Sequence, residues 1–276
     1  MQLILFYPRW GSAQMAWPKF LQKIKGEGYS GVELSFSLVP QENKELLSIL
    51  SDFDMQHIGQ HWQTKAVNFK EHKEQYKRHL YTLVETEPLL INSHTGMDFF
   101  SFSQNIELIE LAEKIEQETG VPIAHETHRS RFAFASHVCL EYLTELPFLK
   151  LTADFAHWTC VAESLLENQE EAVAQSIAHT YHLHMRVGSS QSSQVQDPRD
   201  TNYRHELDRF MQWWMAILQK AAMEKRPFFS LVPEQGPFPY GLYQKNTQTP
   251  MAHQWETNTF LKNLVVEEWE KRSRLD

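Results

Sequence analysis

Apolar residues recur along the chain in short runs near 2–7, 31–36, 56–61, 88–94, 121–126, 149–154, 180–187 and 228–233. Runs of this length, bounded by polar residues, predict strands. Between them lie longer stretches with helical spacing. Residues 13–26 place Trp17, Phe20, Leu21 and Ile24 on one face and end at Gly26 and Gly28, where glycine can close a helix with a left-handed turn. Residues 103–119 open on a candidate cap, Ser103, and stop at Gly120. Residues 203–225 carry Leu207, Phe210, Met211, Trp214 and Leu218 in one stripe, and 252–272 supplies an eighth helix. Eight strand–helix units of about 30 residues predict a single (β/α)8 TIM barrel over 1–276, without linker or second domain. A doubly wound sheet is the alternative, but no GxGxxG follows the first strand to grip a dinucleotide phosphate.

Each apolar run stops at a polar residue. The ends of the last four are Glu126 in VPIAHE, Asp154 in FLKLTAD, His184 in TYHLHMRV and Glu234 in FFSLVPE. In a barrel the loops after the strands share one mouth, so these four side chains would converge. Three carboxylates and one imidazole suit one divalent cation of intermediate hardness: Mn, Mg, Co or Zn. The other strand ends offer Arg9 and Trp10, Glu33, His61, His94, His128 with Arg129, His157, and Arg186. A polar insertion, 188–202, lies on the same face and is either a lid or a mobile surface loop. His125 should face outward to the helices, because its neighbour Glu126 faces inward.

Composition narrows the class. Hydrophobic residues make up 42% and charged residues 22% of 276, which describes a soluble globular protein with a full core. The formal charge of −9 argues against a nucleic-acid surface, which needs a basic stripe. No run approaches the ~20 apolar residues of a membrane span. The opening MQLILFYPRWG lacks the basic stretch and cleavage site of a signal peptide. Cys139 and Cys160 have no CxxC spacing, so a reducing cytoplasm is expected.

The order of these elements resembles the xylose-isomerase-like barrel superfamily of sugar isomerases and epimerases. The resemblance rests on HETHR, DFAHW, HLHMR and PEQG. It implies that Glu126, Asp154, His184 and Glu234 hold one divalent metal, with His184 favoured over His182 as the second histidine of H-x-H. It further implies that His157, in D-x-x-H, contacts substrate. Ser190 stands where related ketose epimerases carry a substrate-binding arginine, so Arg186 or Arg129 would take that role. The lysine and second metal site of xylose isomerase proper are not apparent, and the three-zinc histidine set of endonuclease-IV-like members is incomplete.

The expected activity is isomerisation or epimerisation of a small sugar, sugar phosphate or hydroxy-keto acid by enediolate proton transfer. Glu126 and Glu234 would serve as both ligands and acid/base groups. Candidate substrate contacts are His157, Arg186, Arg129, His128, His94, His61 and Glu33. Trp10, Trp62, Trp158, Phe238 and Tyr240 would wall the sugar. Two other readings stay open. One is a lyase that dehydrates a polyol ketone or dehydroshikimate-type acid; the other is a non-catalytic sugar-binding or scaffold barrel. The resemblance also allows a homo-oligomer.

Overall fold

The computed structural model describes residues 1–274. Eight parallel strands close into a barrel: β1 (Gln2–Pro8), β2 (Gly31–Leu34), β3 (Gln56–His61), β4 (Ile91–Ser93), β5 (Ile123–Glu126), β6 (Leu151–Ala153), β7 (Thr180–Met185) and β8 (Phe228–Pro233). Closure comes from β8 pairing with β1, Gln2 opposite Phe228 through Leu5 opposite Leu231. The expected barrel is therefore the fold. Gly31 sits where a Cβ would lie 2.2 Å from the Gln56 carbonyl oxygen, so β2 meets β3 closely only with glycine there.

Helices α1 (Trp17–Gly26), α2 (Pro40–Asp52), α3 (Phe69–Val84), α4 (Phe102–Thr119), α5 (Ser136–Glu145), α6 (Ala156–Ala162), α7 (Glu170–Ala178), α8 (Arg204–Met223) and α9 (Gln254–Ser273) surround the strands. Helix α1 starts at Trp17, not at residue 13, because Pro18 fits only a first turn. The cap of α4 is Ser101, not Ser103. Its hydroxyl accepts from the Gln104 amide while the Gln104 side chain accepts from the Ser101 amide. The sixth unit carries two short helices, α6 and α7, where the spacing pattern predicts one. None of the described helices is long and apolar enough to cross a membrane.

Alternation along the strands divides the side chains. Ile4, Phe6, Ile58, Ala124 and Val232 fill the lower barrel interior as a small apolar plug. Two larger clusters pack between strands and helices, one around Trp158, Phe210, Trp213 and Trp214, the other around Tyr7, Phe20, Tyr76 and Leu80. Two residues beyond Ala124 and Val232 the inward positions become acidic, Glu126 and Glu234, and with Glu33, Asn92, Asp154, His182 and His184 they form a buried polar group. An apolar floor beneath a polar layer leaves that layer little solvent to share its charge.

Candidate active site

Glu126 ends β5, Asp154 follows β6, His184 lies near the end of β7, and Glu234 follows β8. The period of two turns all four inward. Ligand atoms of Asp154, His184 and Glu234 lie within 4.8 Å of one another, and those of Glu126, Asp154 and His157 do the same. His184 Nδ1 stands 2.8 Å from Glu234 Oε2 and 3.6 Å from Glu126 Oε2, without a hydrogen bond of acceptable geometry. Its other nitrogen, Nε2, donates to Glu33 Oε2 at 2.9 Å. That bond keeps one proton on Nε2 and turns Nδ1 towards the three acids, the arrangement of a histidine ligand backed by a carboxylate once a cation displaces the proton from Nδ1.

Arg186, two residues on, faces the same way. Its Nε donates to Asp154 Oδ2 at 2.9 Å and its Nη2 to Glu234 Oε2 at 2.6 Å. Arg186 thus pairs with two of the four buried carboxylates, Asp154 and Glu234, while Glu33 and Glu126 meet only imidazoles and the Asn92 amide. The charge deficit appears in the titrations. Burial, opposed by Arg186, pushes the Asp154 carboxyl up to about 6. Burial disfavours a charged His184, yet Glu234, Glu33 and Glu126 together raise its pKa well above the ordinary value. Glu33 and Glu126 are held low, against burial, by His184 and by His94 respectively. A pocket with surplus buried negative charge and one orphaned imidazole nitrogen fits a divalent cation.

Above this layer opens a cavity of about 780 Å³. Glu126, Glu234, His94, His128 and Arg186 line it. Trp10, Trp62 and Tyr240 form aromatic walls. Gly236 makes room for one of them, since a Cβ there would strike the Trp10 ring at 2.0 Å. Loop 188–202 is tied down: Gln194 is buried, accepts from Arg186 Nη1 (3.1 Å) and the Gly236 amide (2.6 Å), and donates to the Gly236 carbonyl (3.0 Å). Its centre, Ser193 to Val195, is buried, and Gln194 there holds Arg186.

Other expected contacts lie elsewhere. His61 is turned to the helix layer against Tyr76, near Ser93 and Thr64, while its neighbour Gln60 lines the cavity. Strand alternation assigns that inward place to Gln60, which corrects the expectation for His61. Glu33 sits beneath His184 and does not line the cavity. Arg129 donates to Ser193 Oγ at 2.6 Å and lies over the Tyr240 ring. His157 is fully buried beside Asp154, with neither ring nitrogen hydrogen-bonded. Trp158 belongs to the core, stacked on Phe155, and Phe238 is 55% exposed against Tyr243, so neither walls the cavity.

Several cavity residues were not anticipated. Lys65 and Arg131 join Arg9 in adding positive charge to the lining. Asn92 donates to Glu33 Oε1 (2.9 Å) and Glu126 Oε2 (2.8 Å), joining two of the acids. Alternation could have found Asn92, since it sits two residues before His94. Arg131 turns inward only through its bonds to loop carbonyls of Trp62 and Thr64, which spacing does not reveal.

No protein-family profile and no curated protein matches the chain. Solved structures do. The chain superposes on a 3-keto-D-glucoside 4-epimerase from E. coli with TM-score 0.63 and 13% identity, over 96% of this chain and 100% of that one. A D-tagatose 3-epimerase-like protein gives 0.59 and 14%, over 97% and 99%. A probable 3-DHS dehydratase from Bacillus anthracis gives 0.56 and 14%, over 96% and 98%. At such identities the likeness establishes a shared (β/α)8 barrel fold.

Proposed function

We propose that this chain is a metal-dependent isomerase or epimerase of a small carbohydrate. The observation that carries the reading is the convergence of Glu126, Asp154, His184 and Glu234 under one cavity, with His184 Nδ1 unpartnered and Nε2 held by Glu33. These four residues would hold the ion. When bound, a divalent cation supplies a Lewis acid that polarises a carbonyl and acidifies the adjacent C–H.

The chain's own residues divide the remaining tasks. Glu126 and Glu234, from β5 and β8 at the two ends of the four-strand arc, both line the cavity and are the candidate pair for proton transfer on two faces of one carbon. Hydrogen bonds from Asn92 and His94 fix Glu126, and one from Arg186 fixes Glu234. Trp10, Trp62 and Tyr240 offer apolar faces to a sugar ring and exclude water from the reacting carbon. Loss of a β-hydroxyl from a carboxylate substrate is the second reading, favoured by Arg9, Lys65 and Arg131 around the cavity and by the dehydratase among the similar folds.

The test is a panel of ketoses, keto-glycosides and hydroxy-keto acids in deuterated water, with Mn, Co, Mg or Zn added. Isomerisation or epimerisation places solvent deuterium on the carbon beside the carbonyl, and dehydration yields an absorbing enone. Turnover that persists in Glu126→Gln and Glu234→Gln with metal retained would defeat the proton-transfer roles.

A further inference from the structure

The cavity lining is divided by sign. Its two carboxylates, Glu126 and Glu234, come from β5 and β8, beside the proposed metal ligands. The arc from β1 to β3 contributes no carboxylate to the lining, but it does contribute Arg9 and Lys65, with the neutral polar side chains of Ser35 and Gln60. Arg131 belongs to the loop after β5 yet reaches across to this arc. Its Nη2 donates to the Trp62 carbonyl at 2.9 Å and its Nη1 to the Thr64 carbonyl at 3.0 Å. The guanidinium therefore stands against the segment that carries Lys65, whose Nζ lies 5.2 Å from the Trp62 ring centre.

These three cations lack counter-ions. Among the described residues, Arg9, Lys65 and Arg131 are held by backbone carbonyls and aromatic rings and form no ion pair. Arg9 donates from Nη2 to the Met15 carbonyl at 2.7 Å and lies 4.1 Å over the Trp17 ring, with Nη1 unpartnered. Arg131 is only 4% exposed, and its Nε is unpartnered. Arg186 gives the internal contrast. It is just as buried, but Asp154 and Glu234 outweigh that burial and raise its pKa. Burial, only partly offset by the more distant Glu126, pushes Arg131 down to about 10. A buried cation is ordinarily paired, and the cavity is the side from which a partner can reach this one.

We infer that the substrate carries an anionic group, a carboxylate or a phosphate monoester, at the end remote from its reacting carbonyl, and that Arg131, Lys65 and Arg9 bind that group. The inference rests on the reaction proposed above and names its substrate class. With the carbonyl end at Glu126 and Glu234, the far end of the substrate meets the wall formed by β1 to β3. The separation has an electrostatic logic. Free cations beside the acids would compete with a metal ion, whereas cations across the cavity draw in an anion and aim its neutral, oxygen-rich end at the acids. Trp62, held through Nε1 by Ser35 Oγ at 2.8 Å, gives the Lys65 ammonium an aromatic face at the mouth.

The experiment is calorimetric binding of three keto sugars to the Mn-loaded chain: D-fructose, D-fructose 6-phosphate and 5-keto-D-gluconate. The last two carry a phosphate or a carboxylate far from the carbonyl, and the first carries no charge. At least one anionic probe should bind roughly 10–100-fold tighter than D-fructose, and added salt should shrink that ratio. The tighter of the two identifies phosphate or carboxylate as the preferred group. Lys65→Ala and Arg131→Gln should each cut the ratio several-fold, with circular dichroism unchanged. Lys65 is exposed, so its variant reads the site even where Arg131→Gln disturbs the loops that Arg131 ties together. Equal affinity for all three probes, or a ratio that survives both substitutions, overturns the anionic subsite and spares the carbohydrate reading. Failure of all three to bind overturns both.

Discussion

Replacing Glu33 with glutamine tests the support beneath the metal ligand without touching the ligand itself. Glu33 accepts from His184 Nε2 at 2.9 Å, from His182 Nε2 at 3.2 Å and from Asn92 at 2.9 Å. Glutamine keeps the shape and removes the charge. Outer partners of a metal-bound histidine are typically worth 10–100-fold in affinity, or about 1.4–2.8 kcal/mol. A counter-effect has a definite sign. Glu33 is one of the acids that raise the His184 pKa, so its neutralisation also weakens proton competition for Nδ1. That competition grows as pH falls. The affinity deficit of the variant should therefore be about 10–100-fold at pH 8 and smaller at pH 6. Competition against a chromophoric chelator measures it, with circular dichroism confirming the fold. Wild-type affinity at pH 8, or a deficit that grows on acidification, would refute the reasoning.

Other consequences follow from the same structure. Trp158 is fully buried, stacks on Phe155 at 4.8 Å and donates to the Ala133 carbonyl, so Trp158→Ala should cost about 3–5 kcal/mol in urea unfolding. Trp62 is 44% exposed at the cavity mouth, so Trp62→Ala should raise KM several-fold while leaving Tm unchanged. Burial, partly offset by a hydrogen bond at Thr86, pushes the His57 pKa down to about 4. The folded value lies below the unfolded one of about 6.5, so this contribution is present above pH 6.5 and is lost as pH falls towards 4. At pH 5 the loss is about 2 kcal/mol, and His57→Leu should shrink the stability difference between pH 7.5 and pH 5 by that amount.

What the sequence made legible is what period two and strand ends encode. Eight apolar runs and their terminal polar residues located the barrel, and Glu126, Asp154, His184 and Glu234 were read from those ends. Depth inside the barrel was not legible. Glu33 and His184 both point inward, yet Glu33 lies beneath the cavity and serves the imidazole. His61 failed for the opposite reason, since Gln60 beside it takes the inward place and a polar strand end does not declare its parity. Bonds between distant loops left no local pattern either. Gln194 holds Arg186 and Gly236 from within a serine- and glutamine-rich insertion whose composition reads as surface. The free nitrogens of His157 come from three dimensions alone, because D-x-x-H looks the same with or without a partner.

Anomalous diffraction from Mn- or Co-loaded crystals addresses the central claim most directly. A peak is expected about 2.0–2.3 Å from His184 Nδ1 and from one oxygen each of Glu126, Asp154 and Glu234, with His184 Nε2 still bonded to Glu33. No peak there under saturating metal, with Arg186 alone bridging Asp154 and Glu234, would contradict it.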